Sequence, residues 1–253
     1  MTMHICSKRV VVALLVLGWA QSASAQTADD VVERHLTAIG GRVALAKLQS
    51  RQMVGTITLS LPTGGDVTGT VEALNAVPNK ARTLIKLDLT ALGAGPIRID
   101  QRFNGTVGYM LDSMQGDRPI TGSQLESMKS GAFPSAFLNY QERGAAVELK
   151  GKEKIAGKDA FLLVFTPKDG AVVRQYIDAE SYLPVRMVAT VDVPGMGALD
   201  QTSDLFDQRD VDGVKVPFLV KSTSAVQSFT INVTKVEHNV AVDEKLFVKP
   251  GGF

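Results

Sequence analysis

After residue 25 the chain has no cysteine and no tryptophan, because Cys6 and Trp19 are the only ones it carries. Without a thiol the remainder cannot form a disulfide or a thiolate nucleophile, and zinc loses its favoured soft ligand. Histidine is almost as scarce, with only His35 and His238 beyond that point. His35 falls at helical spacing among apolar residues and reads as a half-buried helix residue, while His238, next to Asn239, reads as a strand end. Ser222 and Ser224 have no G-x-S-x-G context, so no Ser-His-Asp triad is expected. Asp207, Asp210, Asp212 and Gly213 depart from calcium-loop spacing and lack its closing glutamate, which leaves a solvated hairpin turn. Gly93-Ala94-Gly95 and Gly195-Met196-Gly197 do not open a helix after a strand, as a phosphate-binding turn requires. The expectation is a protein with no catalytic residues, no metal and no cofactor, and so not an enzyme.

A surplus of charge of either sign is lacking too. The 27 Lys and Arg stand against 26 Asp and Glu, and removing the first 25 residues takes away only Lys8 and Arg9, for a net charge of −1. Such a balance gives no footprint for nucleic acid or an anionic membrane. The apolar run from Val10 to Ala20 is shorter than the roughly 20 residues that span a bilayer. It follows Lys8-Arg9 and precedes the small residues Ala23-Ser24-Ala25, which makes residues 1–25 a cleaved secretory signal peptide and places residues 26–253 in the periplasm as one domain without stable membrane insertion.

What is present is period-2 alternation. In the stretch from Val172 to Val193, the odd positions Val185, Met187, Ala189, Val191 and Val193 are apolar with Arg186, Thr190 and Asp192 between them, and only Val188 breaks the rule. Asp178 to Ser181 reverse the chain, so the stretch reads as a hairpin. The same grammar recurs at Met53 to Leu61, Val67 to Ala73, Ile85 to Leu89, Ile97 to Phe103, Val107 to Leu111, and from Val147 onward. Asn104-Gly105 predicts a type I′ turn, Asp212-Gly213 another tight turn, and Leu246-Phe247 a final short strand or tail. Two segments break the pattern. Residues 28–48 read as an amphipathic helix pair with Thr27 as N-cap and Gly40-Gly41 as stop, and residues 121–143 read as one or two short helices or an ordered loop. The fold class is therefore mainly β (α+β): one twisted antiparallel sheet of about ten or eleven strands forming an unclosed half-barrel, roofed by the N-terminal and inserted helices.

Four segments, Ile39-Gly40-Gly41 with Ala44-Leu45, Tyr176-Ile177-Asp178 through Leu183-Pro184-Val185-Arg186, Asp210 through Pro217, and Phe247-Val248-Lys249-Pro250, make the chain similar to the LolA/LolB-like superfamily of periplasmic lipoprotein carriers and outer membrane lipoprotein-sorting proteins. The resemblance covers nearly all of residues 26–253 and implies an interior that receives acyl chains. On that basis the expected function is a periplasmic, non-enzymatic carrier or binder of a lipid or lipoprotein acyl chain, with inner- and outer-membrane sorting proteins as possible partners. The alternatives are an extracytoplasmic sensor or protein-binding module on the same fold, and an outer-membrane β-barrel. The candidate cavity combines the apolar phase of the strands, namely Met53, Ile57, Leu59, Val71, Leu87, Ile99, Tyr109, Met187 and Val191, with Met128, Phe133 and Phe137 from the interrupting segment. Met is flexible enough to suit a ligand of variable shape, as it equally suits an ordinary core.

Overall fold

The computed structural model describes residues 26–61, 64–193 and 197–250. The expected signal peptide lies outside the described residues, as do Pro62-Thr63, Gly195-Met196, the terminal Phe253 and the side chain of Val191. Thirteen strands form one antiparallel sheet in the order β6-β5-β4-β3-β2-β1-β13-β12-β11-β10-β9-β8-β7. The first six are β1 (Ser50–Ser60), β2 (Asp66–Ala76), β3 (Lys80–Asp88), β4 (Pro96–Phe103), β5 (Gly108–Asp112) and β6 (Arg118–Ile120). The second seven are β7 (Ala146–Ile155), β8 (Lys158–Thr166), β9 (Val173–Asp178), β10 (Pro184–Val193), β11 (Gly197–Val211), β12 (Val214–Thr223) and β13 (Ser228–His238). Each group is a meander of sequential hairpins, and the pairing of β1 with β13 joins the two into one open half-barrel.

The strand count exceeds the ten or eleven expected. One reason is β6, whose three residues Arg118-Pro119-Ile120 are too few to show alternation. Asn104-Gly105 is not a type I′ turn either. The Asn104 side-chain oxygen accepts from the backbone N–H of Thr106 and of Val107, which builds a four-residue loop between β4 and β5. Asp212-Gly213 does form a two-residue turn with both φ angles positive. Leu246-Phe247 belongs to a 3₁₀ turn over Glu244–Phe247 rather than to a strand.

Helix α1 (Ala28–Ala38) starts at a capping box in which Thr27 and Asp30 exchange hydrogen bonds, and it is followed by the short α2 (Arg42–Ala46). Val31, Val32 and Leu36 of α1 and Leu45 of α2 pack on Phe161, Leu163, Ile177, Val214 and Val216, all from one face of the sheet, which we call the inner face. Burying each such side chain stabilises by about 1.5–3 kcal/mol, so this cluster anchors the helices firmly. His35 is fully buried here rather than half-buried, with Nδ1 against the Tyr182 carbonyl oxygen and its ring edge-on to Phe137. Gly40 lies so close to the turn after β11 that a Cβ would sit 2.4 Å from the Gly213 carbonyl oxygen, and Lys215 N–H donates to the Ile39 carbonyl. Three of the segments that carry the resemblance thus meet at the end of α1, where they serve packing.

On the outer face the chain beyond β13 folds back, burying Phe247 against Leu74 and Ala76. Arg102 pins it by donating to the carbonyls of Lys245 and Val248. Among the described residues, no helix is long and apolar enough to cross a membrane.

Candidate ligand-binding site

β6 and β7 are opposite edges of the sheet, so the segment between them has to cross from edge to edge. It does so over the inner face, as a strap. The strap opens with α3 (Gly122–Lys129), whose C-terminal end is tied on both sides. Asn79, in the turn between β2 and β3, donates to the carbonyls of Met128 and Lys129. On the other side Ser130 Oγ donates to the Ala171 carbonyl, and Ser127 Oγ donates to the carbonyl of Thr190 on β10. Gly170 approaches so closely that a Cβ there would lie 2.7 Å from both the Glu126 carbonyl and the Ser130 nitrogen. The remainder of the strap runs in turns and sinks Phe137 and Tyr140 into the helix cluster.

Beside that cluster the inner face carries a second apolar patch of a different make. Ile57, Val67, Val71, Leu87 and Ile97 are buried, with Leu59, Ile85, Ile99, Phe229 and Ile231 packed around them. Leu61 and Leu89, just past the ends of β1 and β3, complete the cluster, which contains no residue of α1, α2 or α3. Along β1 to β4 the face then changes character. The next row across the ladder is Met53, Ala73, Thr83 and Gln101, and the last is Arg51, Asn75, Ala81 and Phe103. At a rise of about 3.3 Å per residue, Arg51 lies roughly 26 Å from Leu59 along β1.

The polar end is roofed by the strap. Gln101 Nε2 lies 3.2 Å from the sulfur of Met128, and Phe133 stacks over the guanidinium of Arg51 at 5.4 Å. Arg51, Asn75, Met128 and Phe133 line a cavity of about 310 Å³ there. A neighbouring cavity of about 450 Å³ shares Gly131 and Ala132 with it and is lined by Lys129, Arg143 and Lys168 against one acid, Asp169. Arg51 Nε donates to His238 Nε2 at 3.0 Å, and His238 Nδ1 faces Asp212 Oδ2 at 3.2 Å. His238 is thus the Nδ1–H tautomer, a relay that fixes one edge of the guanidinium. Burial pushes the Arg51 guanidinium down to about 10, which leaves it cationic at neutral pH. Burial, then Arg51, lower the His238 pKa against the opposing pull of Asp212.

The residues expected to line one cavity divide among several places. Ile57, Leu59, Val71, Leu87 and Ile99 lie together in the second apolar patch, and Met53 leans on the helix cluster. Met128 and Phe133 roof Arg51. Met187 faces the inner side opposite Gln175 and Ser203 and is 38% exposed. Two expectations need correction. Phe137 is 1% exposed and fills the core between His35 and Phe165, so it faces no cavity. Tyr109 pairs with Arg102 on the outer face and lies beneath Lys249. Tyr109, Met110 and Leu111 are consecutive apolar residues, so alternation cannot choose between them; Met110, opposite Gln101, holds the inner position. Arg51 went unmarked in the sequence, although it shares the parity of Met53 and so the inner phase.

No protein-family model matches the chain, and no curated protein matches it. Solved structures do. A LolA superfamily protein from Nitrosomonas europaea superposes with a TM-score of 0.55 at 15% identity, covering 89% of this chain and 99% of its own. A DUF1329 family protein from Desulfovibrio piger gives 0.55 at 14%, covering 88% and 98%. A domain from Vibrio parahaemolyticus named for outer membrane lipoprotein sorting gives 0.55 at 13%, covering 86% and 94%. A thirteen-stranded open sheet, α1 and α2 on its inner face and a strap from edge to edge are thus the parts of a LolA-like fold, and that is the fold of this chain.

Proposed function

We propose that the protein is a periplasmic, non-enzymatic carrier of a hydrophobic ligand, an acyl chain of a lipid or lipoprotein, held along the inner face. The observation that carries this reading is the apolar patch around Ile57, Val71 and Leu87, a floor whose described cluster holds no residue of α1, α2 or α3. At about 0.8 kcal/mol per buried methylene, an acyl chain laid on such a floor gains enough to be taken from water, and its release then requires the strap to lift. The name of the Vibrio parahaemolyticus neighbour, lipoprotein sorting, fits the same ligand.

Displacement of the neutral fluorophore N-phenyl-1-naphthylamine by lipids tests the reading. Ile99→Lys, half-buried on the floor, is expected to weaken the probe at least about tenfold, since an ammonium in an apolar site costs several kcal/mol. Met187→Lys, whose longer side chain reaches solvent, is expected to weaken it less and to leave the melting temperature unchanged. Val43→Lys on exposed α2 serves as the control. A wild-type protein that takes up no apolar probe makes the patch an ordinary core and ends the carrier reading. Passage of bound lipid to acceptor vesicles separates a carrier from a sensor.

A further inference from the structure

The end of the inner face under the strap is built differently from the floor. Arg51 and Asn75 stand directly opposite one another across the β1–β2 ladder and line the same cavity of about 310 Å³. The only hydrogen bond of the Arg51 side chain runs from Nε to His238, so among the described residues both Nη groups lack a protein acceptor. The Asn75 amide likewise has no side-chain partner among the described residues. No acidic residue is among those described that line the cavity, and the cavity beyond Gly131 and Ala132 adds three further cations against one acid. The Arg51 side chain is half-buried, and its Nη groups face the cavity and solvent, where a guanidinium at such a site often meets a carboxylate. This one is instead oriented, by His238 at its Nε edge and Phe133 over its face, with its two remaining donor pairs free.

We propose that Arg51 and Asn75 form the head-group site for a single-chain amphiphile with an anionic head, a carboxylate or a phosphate, whose chain lies along β1 to β4 on the apolar floor. This rests on the carrier reading and adds the polarity and orientation of the ligand to it. The head accepts from Arg51 Nη1 and Nη2, a bidentate geometry that suits planar carboxylate or phosphate oxygens, and from the Asn75 amide. The chain then runs past Met53 and Gln101 toward Ile57, Ile85 and Leu87, a span long enough for an extended acyl chain. His238 and Asp212 are positioning residues that keep the guanidinium aimed.

Competition against N-phenyl-1-naphthylamine, with palmitate, methyl palmitate and hexadecyl phosphate as competitors, reads the proposal. Wild type is expected to hold palmitate, hexadecyl phosphate or both at least about tenfold more tightly than methyl palmitate, the difference that a charge-assisted pair supplies. The anion that gains more identifies the head. Arg51→Met is expected to bring the acid-to-ester ratio to about one while leaving ester affinity intact, and Arg51→Lys to keep part of the preference. Asn75→Leu, which leaves the Arg51 contacts in place, is expected to reduce the ratio about threefold and serves if Arg51→Met does not fold. Equal binding of acid, phosphate and ester by wild type overturns this inference and leaves the carrier reading standing. Loss of ester together with acid in a folded Arg51→Met protein makes Arg51 a structural support and also overturns it. Binding of no competitor and no probe overturns both.

Discussion

Asp100 is a carboxylate wholly out of solvent, bonded by Arg82 through two contacts at 2.8 and 2.9 Å and by Arg98 and Arg102 at 2.8 Å. Burial raises its pKa, but the hydrogen bonds from Arg82 and Arg102 outweigh that and hold it below the usual carboxylate range. Its stabilising contribution is therefore present above the unfolded value near 3.9 and is lost as pH falls toward the folded one. Asp100→Asn leaves Arg102, itself buried, without its countercharge, and is expected to cost about 3–5 kcal/mol, read as a fall in the denaturant midpoint. The two histidines act at milder pH. Burial lowers the pKa of His35 against a hydrogen bond to the Tyr182 carbonyl, and burial then Arg51 lower that of His238. Both folded values lie below the unfolded value of about 6.5, so stability is complete above about 6.5 and declines below it. The melting temperature is expected to drop between about pH 7 and pH 5. His35→Gln, which cannot charge, is expected to flatten that slope at the cost of lower stability at neutral pH. The sequence marked both histidines as non-catalytic by their isolation. It did not show His35 buried or His238 beside Arg51, because each depends on residues some 150 or more positions away.

Elements whose partners lie next in sequence were legible. Alternation located most strands, and Asp212-Gly213 located a turn, because hairpin geometry is set within a few residues. Phase was legible only where polar residues separate the apolar ones. It failed at Tyr109, where three apolar residues run together, and β6 was too short to carry any phase. Thr121 to Arg143 was recognised as an interruption, but its role as a strap follows from β6 and β7 being opposite edges, which no local pattern encodes. The strap gives an element-scale prediction. Gly170 has φ +111°, and an added Cβ would press on the Glu126 carbonyl and the Ser130 nitrogen. Gly170→Ala is expected to lift the C-terminal end of α3 and cost about 1–3 kcal/mol. Amide exchange over residues 126–133 is expected to quicken while that of β1 and β13 stays slow, and unchanged exchange in the strap contradicts the tie at Gly170.

For the whole molecule the decisive feature is the seam between β1 and β13, where Arg51 meets His238 across 187 positions of chain. The middle of the sheet is therefore completed only by the last of the described strands to be synthesised. Until β13 emerges, β1 and β12 are both long bare edges, each open to pairing with another chain. A product ending before Ser228 is thus expected to aggregate instead of folding as a twelve-stranded protein, as size-exclusion chromatography would read. Adding β13 as a separate peptide before collapse is expected to recover soluble protein. Non-local pairing of this kind also slows folding, because the loop must close before any contact across it is gained. Hence the chain, however quickly its hairpins form, stays dependent on β13, and a holdase that shields strand edges is the kind of helper its biogenesis needs.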